Sequence, residues 1–243
     1  MKIFKTFESF LEEGVNDPGI LKAFFMAGGP GSGKSYVAGE LFGLPKDSSA
    51  SVSYDLGLKL VNSDAAFELL LKKANIDMAQ LMDIKDKDPA AWQDAMQIRA
   101  KAKKITKGTQ KMYIEGRLGM VIDGTGKNYK KIEGQVKELR ELGYDCYMVF
   151  VNTSKEVALE RNNNRPRKLP EDMVTNMWQE VQDNLGRFQR LFKAKRFEIV
   201  DNSKYGDSEP TDLVGKEIRK FMGQPVSNPI GKQWIQDQKN SRK

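Results

Sequence analysis

Residues 22–35 read KAFFMAGGPGSGKS, and the fold turns on how that stretch is understood. Its first half is a continuous apolar run that stops at glycines, the pattern of a strand buried on both faces of a sheet. Its second half, Gly28 to Ser35, fits G-x-x-x-x-G-K-[ST], and the residues after it, YVAGELFG, read as a helix. A strand before and a helix after is the context that this motif needs. Glycines let backbone N–H groups converge on phosphate oxygens, and the helix N-terminus adds the positive end of its dipole. Gly28, Gly29, Pro30, Gly31, Ser32 and Gly33 are therefore the expected cradle for the phosphates of ATP. Lys34 is expected to reach the β and γ phosphates, and the Ser35 hydroxyl to supply a ligand to Mg²⁺. A glycine-rich turn holding nothing is the plain alternative, and the flanking elements weigh against it.

Working outward, four more apolar segments read as strands: LKLVNSD ending at Asp64, LGMVIDG ending at Asp123 and Gly124, YDCYMVFVN, and KRFEIVDNS. Helical stripes separate them. Ile132, Val136, Leu139 and Leu142 mark one, and Val174, Met177, Trp178, Val181, Leu185, Phe188 and Phe192 a longer one. Alternating strands and helices give an α/β fold, a P-loop NTPase-type open parallel sheet of about five strands with helices on both faces. Residues 65–118 are long for one crossover and read as a helical insertion of two or three helices after the second strand. The expected organisation is an N-terminal amphipathic helix at 1–16, a P-loop domain at 17–222 and a basic tail at 223–243. The helix would present Ile3, Phe4, Phe7, Phe10 and Leu11, to the core or to a protein partner. The tail reads as mobile, with Trp234 and Ile235 as its candidate anchors.

Composition narrows the chemistry. The 243 residues contain no histidine and one cysteine, Cys146, which excludes Ser-His and Cys-His nucleophiles, histidine-ligated zinc and any intrachain disulfide. Cys146 sits in an apolar run and is expected to pack as a small hydrophobe. A net charge of +7 favours anionic partners. Residues 101–131 hold nine Lys or Arg against Glu115 and Asp123, and residues 216–243 seven against Glu217 and Asp237. Solvated helix faces and a polyanion footprint explain these runs equally well. No apolar run approaches the roughly eighteen residues that cross a bilayer, and the start MKIFKTFESFLEEG lacks a signal-peptide centre. The expectation is therefore no membrane partner and a cytoplasmic protein, in the host cytoplasm for a phage-encoded chain.

Three further features bear on the reaction. Asp64 ends the second strand at the sheet edge where α/β folds bind ligands. Spacing leaves it either a general base facing the γ-phosphate or, with Ser63, a helix N-cap. Asp123 ends MVIDG as a Walker B strand ends in its acid, a site for Mg²⁺ or for contact with the acceptor. Val121 stands where the DxDGT phosphatases need their nucleophile, so that chemistry is rejected. Finally, LERNNNRPRKLP, residues 159–170, concentrates Arg161, Arg165, Arg167 and Lys168. Arg161 and Arg165 are four apart and expected on one helix face, with Arg167 at the lip of a loop. Guanidinium forks there suit a lid that closes over a triphosphate.

Together, the cradle, the Asp after the second strand, VIDGTGKN and the Arg-rich lid resemble the zeta-toxin and phage polynucleotide kinase group of P-loop phosphotransferases, over residues 24–203. Asp123 stands where the zeta-toxin strand E-G-T-G-R has Glu, and LERNNNRPRKLPEDMV is similar to the polynucleotide kinase lid. The resemblance implies Asp64 as general base and Lys34 and Arg165 as transition-state clamps, with Arg161 and Arg167 in the same lid. It also implies Ser35 on Mg²⁺, and VDNS, with Asn202, near the nucleotide base. The implied function is an ATP-dependent kinase acting on a hydroxyl, either a polynucleotide 5′-hydroxyl in a single strand or a small molecule such as a nucleotide sugar. The alternative is a P-loop ATPase or assembly protein with no acceptor. The start of the chain weakly resembles those of some tailed-phage proteins.

Overall fold

Alternation along the first strand sets the architecture. In β1 (Lys22–Ala27), Phe24 and Met26 point to one side and Phe25 and Ala27 to the other, and every residue is buried. A strand buried on both sides must be central, with layers above and below it. This computed structural model describes residues 13–44, 53, 56–78, 81–165, 168–204 and 209–241, and it places β1 in the middle of a five-stranded sheet. The other strands are β2 (Lys59–Val61), β3 (Met120–Asp123), β4 (Asp145–Asn152) and β5 (Phe197–Asp201). Their order is β2-β3-β1-β4-β5, and every pairing is parallel. Register carries the alternation across the sheet. Phe24 lies level with Val121 and Tyr147 in one core, and Phe25 with Ile122 and Met148 in the other.

Helices α1 (Lys34–Phe42) and α8 (Glu209–Gly223) cover the Phe24 face, through Val37, Leu41, Phe42, Ile218 and Phe221. Helices α5 (Tyr129–Glu141) and α7 (Glu171–Phe192) cover the Phe25 face, through Ile132, Val136, Val181, Phe188 and Phe192. Cys146 is buried in that core, and burial pushes its thiol up to about 12, as befits a packing residue. The insertion is three helices, α2 (Asp64–Lys73), α3 (Leu81–Lys87) and α4 (Pro89–Glu115). Phe67, Leu71, Leu81, Ala95 and Ala102 give it a small core of its own. Helix α6 (Lys155–Asn163) follows β4 and leads into the Arg-rich segment.

The expected N-terminal helix lies largely outside the described residues, as do Ile3, Phe4, Phe7, Phe10 and Leu11; a single turn, Glu13–Asn16, is described. The expected mobile tail is corrected. Residues Pro229–Ser241 form helix α9, whose Trp234 and Ile235, the candidate anchors, pack against the Phe25 core, with Val226 inside that core. Its attachment is polar: the buried Asp145 carboxylate accepts from Ser227 N at 2.6 Å, Ser227 Oγ at 2.9 Å and Asn228 N at 3.1 Å. Such anchors leave no mark in hydrophobic periodicity. Among the described residues, no helix is long and apolar enough to cross a membrane.

Candidate active site

The carboxyl ends of β2, β3 and β1 open on one edge, and the loop after β1 crosses it. Gly31 and Gly33 have φ of 78° and 81°, which side-chain-bearing residues rarely adopt. A Cβ would also drive Gly31 into the Ala158 backbone and Gly33 into the Asn202 side chain. Gly33 is the N-cap of α1 and gives it no side-chain cap bond, so the first-turn amides stay available to a ligand. Gly28 N donates to Thr125 O at 3.1 Å, and Gly124 N to Met26 O at 3.2 Å, tying this loop to the one after β3. From the other side, Asn202 Nδ2 donates to Ser32 O at 2.8 Å and Asn202 N to Asn152 O at 2.9 Å. Arg161 Nη1 approaches Gly31 O at 3.5 Å. The Ser32 hydroxyl is buried within this cradle with no hydrogen-bond partner among the described residues.

Asp123 ends β3 next to the loop. Burial raises its carboxyl above the ordinary range; the Lys34 ammonium pulls it back and the Asp64 charge pushes it further up. Asp123 therefore lies within electrostatic reach of both Lys34 and Asp64. Among the described residues Asp123 Oδ1 is buried without a hydrogen-bond partner, while Oδ2 accepts from Asn62 Nδ2 at 2.9 Å. Among the described residues no salt bridge engages Lys34, so its ammonium is available to phosphate. Asp64 is exposed at the first position of α2. Ser63 is the N-cap and its side chain makes no cap bond, so Asp64 does not occupy the N-cap position. Ser35 is exposed in the first turn of α1. Ser35 and Asp123 offer a hydroxyl and a carboxylate, oxygen ligands of the kind Mg²⁺ takes, and the uncapped amides fit a triphosphate.

In the Arg-rich segment one expectation is corrected. Helix α6 stops at Asn163, with Asn164 as its C-cap, so Arg165 stands beyond the helix and shares no helical face with Arg161. The reason is Asn162, fully buried, which turns the chain by bonding Leu169 twice: Nδ2 to Leu169 O at 2.8 Å and Leu169 N to Oδ1 at 3.0 Å. Arg165 is exposed; Arg167 lies outside the described residues. The structure thus gathers Lys34, Asp64, Asp123, Arg161 and Asn202 around the loop and leaves Arg165 at the surface.

Sequence reasoning missed the supports. Asn62 was passed over inside LKLVNSD, although its amide bonds both Asp123 and the Asp64 backbone. Asn184 sits on the apolar stripe of α7, buried, and Nδ2 donates to Gly126 O at 3.0 Å and Lys127 O at 2.9 Å, holding the DGTGK loop. A polar residue inside an apolar stripe was the available signal. Trp178, counted as core, donates through Nε1 to Thr153 O at 2.8 Å and lies beside Gly29.

A family model described as zeta toxin matches residues 78–207, just over half of the chain, taking in α4, β3, α6 and β5. Among solved structures, the chain is similar to one from the PezAT chromosomal toxin-antitoxin system of Streptococcus pneumoniae. That likeness has 11% identity and a TM-score of 0.50, over 84% of this chain and 87% of that one. It is also similar to a chain of the native AvrRxo1-ORF1:-ORF2 complex, with 12% identity and a TM-score of 0.52, over 95% of this chain and 82% of that one. At these identities the structural likeness shows the fold. No curated protein matches the chain.

Proposed function

The chain belongs to the zeta toxin family of P-loop kinases, and from that premise we propose that it moves the γ-phosphate of ATP onto a hydroxyl of a nucleotide sugar. The observation that carries this reading is the meeting of Lys34, Asp123 and Asp64 at one sheet edge beside an uncapped helix start. Loop amides and Lys34 bind the terminal phosphates, and Arg161, poised over Gly31 O, adds charge from the lid side. Asp64 takes the proton of the acceptor hydroxyl as the new O–P bond forms and the bond to ADP breaks. Ser35 and Asp123 would hold Mg²⁺, which when bound neutralises charge on the β and γ oxygens.

The zeta toxin family match supports a nucleotide sugar over a polynucleotide 5′-hydroxyl as acceptor. The pneumococcal relative comes from a toxin-antitoxin system, which supports a protein partner for this chain as well.

The test is γ-labelled ATP with Mg²⁺ and a panel of nucleotide sugars, nucleosides and 5′-hydroxyl oligonucleotides. Label is expected on a nucleotide sugar; label on an oligonucleotide would move the acceptor to a strand, and release only as free phosphate would make the protein an ATPase. Asp64→Asn is expected to lose about 10²- to 10⁴-fold in transfer while still binding ATP. Full activity in that variant would remove Asp64 as the base.

A further inference from the structure

Between the last residue of β2 and the start of α2 lies Asn62, whose side-chain amide is used at both ends. Nδ2 donates to Asp123 Oδ2 at 2.9 Å, and Oδ1 accepts from Asp64 N at 2.8 Å. Chemistry forces this orientation. An ionised carboxylate only accepts and a backbone N–H only donates, so a flipped amide would set oxygen against oxygen and donor against donor. Asn62 is therefore a bridge with one possible polarity. Aspartate would place a like charge against Asp123, and an apolar side chain would leave both partners unmet.

The bridge joins α2 directly to β3, which the two cores connect through α4, whose Tyr113 and Ile114 pack against the main core. Phe67 and Leu71 of α2 belong to the small core shared with α3 and α4, whereas Asp123 ends a strand of the main sheet. Packing thus fixes α2 to the insertion, and the Asn62 amide ties its first turn to β3. Ser63, at the N-cap position, makes no side-chain cap bond, so Asn62 supplies the side-chain acceptor for the start of this helix. Asp64 is the first residue of α2, and pinning its amide pins the backbone that carries its carboxylate.

We propose that Asn62 is a positioning residue for phosphoryl transfer: it sets the place of Asp64 relative to Asp123 and Lys34 by clamping the first turn of α2 to the end of β3. The role rests on the reading of Asp64 as the base. Asn62 bonds the Asp123 carboxylate and the Asp64 backbone, and it acts through the two residues it spaces.

The experiment compares Asn62→Ala, Asn62→Asp and Asp64→Asn with the wild-type chain by three measurements: amide hydrogen exchange across residues 64–67, affinity for ATP with Mg²⁺, and passage of label from γ-labelled ATP to the acceptor panel and to water. Asn62→Ala is expected to exchange faster in the first turn of α2 and to transfer about 10²-fold more slowly at saturating ATP, the cost of a misplaced reacting group. Its ATP affinity should stay within about threefold, because the loss falls on the transition state rather than on uniform binding. Asn62→Asp keeps an oxygen for Asp64 N, so first-turn exchange should remain near wild type while transfer falls. A merely structural role would not separate protection from transfer in this way. Unchanged exchange and transfer in Asn62→Ala would overturn the proposal. If Asp64→Asn loses transfer while Asn62→Ala keeps it, the positioning role fails and the base survives. If Asp64→Asn keeps full transfer while Asn62→Ala still loosens α2, the base reading fails and takes the positioning role with it.

Discussion

Asp123 shows how a single carboxylate is made costly at the end of a buried strand. Burial raises its carboxyl, and the nearby Asp64 charge adds to the penalty that Lys34 offsets. A carboxyl raised in the folded state binds more protons there than in the unfolded chain. Its contribution to stability is therefore present below the ordinary carboxylate range and lost as pH rises through its raised value. Asp123→Asn is expected to melt higher than wild type at neutral pH and to show less decline in that window, while losing Mg²⁺-dependent transfer. Thermal melts across acidic to neutral pH, with and without ATP and Mg²⁺, check this. A variant less stable than wild type at neutral pH would show that the ionised carboxylate is held favourably after all.

Among the elements, the Arg-rich segment after α6 depends on one residue that is not an arginine. Asn162 carries both hydrogen bonds that hold Leu169 beside the end of α6, and it is fully buried. Asn162→Ala removes both and leaves Leu169 N and O to find other partners, at a cost of about 1–3 kcal/mol where such groups stay buried. With its base loosened, the segment that carries Arg165 should present its guanidinium less often. The expected outcome is a fall in kcat with little change in the affinity of the cradle for ADP, read by steady-state kinetics and calorimetry. Equal kcat in Asn162→Ala would mean that the segment's shape is immaterial to transfer. The periodicity that placed α6 could not show this turn, because Asn162 looks like one more polar residue in NNN until Leu169 is brought to it.

For the whole molecule, the C-terminal helix is held at the amino ends of the strands, away from the glycine-rich loop. Asp145, at the amino end of β4, accepts from Arg196 Nη1 at 3.0 Å as well as from Ser227 and Asn228. Asn228 Nδ2 donates in turn to Arg140 O at 2.8 Å and Tyr144 O at 3.2 Å. Lys22 Nζ, at the start of β1, donates to the carbonyls of Phe221, Met222 and Gln224 at the end of α8. Asp145→Ala strips the acceptor from a charged guanidinium and two backbone amides, and is expected to cost about 3–5 kcal/mol. Chemical unfolding measures that loss, and limited proteolysis should cut before α9 sooner than in wild type. A change under about 1 kcal/mol would show that water replaces the carboxylate without loss.

Much of this was legible in the chain alone. Strand runs, helix stripes and the G-x-x-x-x-G-K-S spacing are local patterns, and local patterns report burial and backbone geometry directly. They were enough to place the five strands, the cradle, the insertion, and Lys34, Asp64 and Asp123 on one edge. The tertiary structure alone decided which polar side chains hold these parts together. Asn62, Asn162, Asn184 and Asp145 bond partners that lie elsewhere in the chain or across a loop, and an amide or carboxylate in sequence carries no mark of its partner. The same reason explains the helix found where a mobile tail was expected, and Arg165 standing off the helix that was to present it. Hydrophobic spacing says which face turns inward, but a directional hydrogen bond exists only once both of its ends have been brought together.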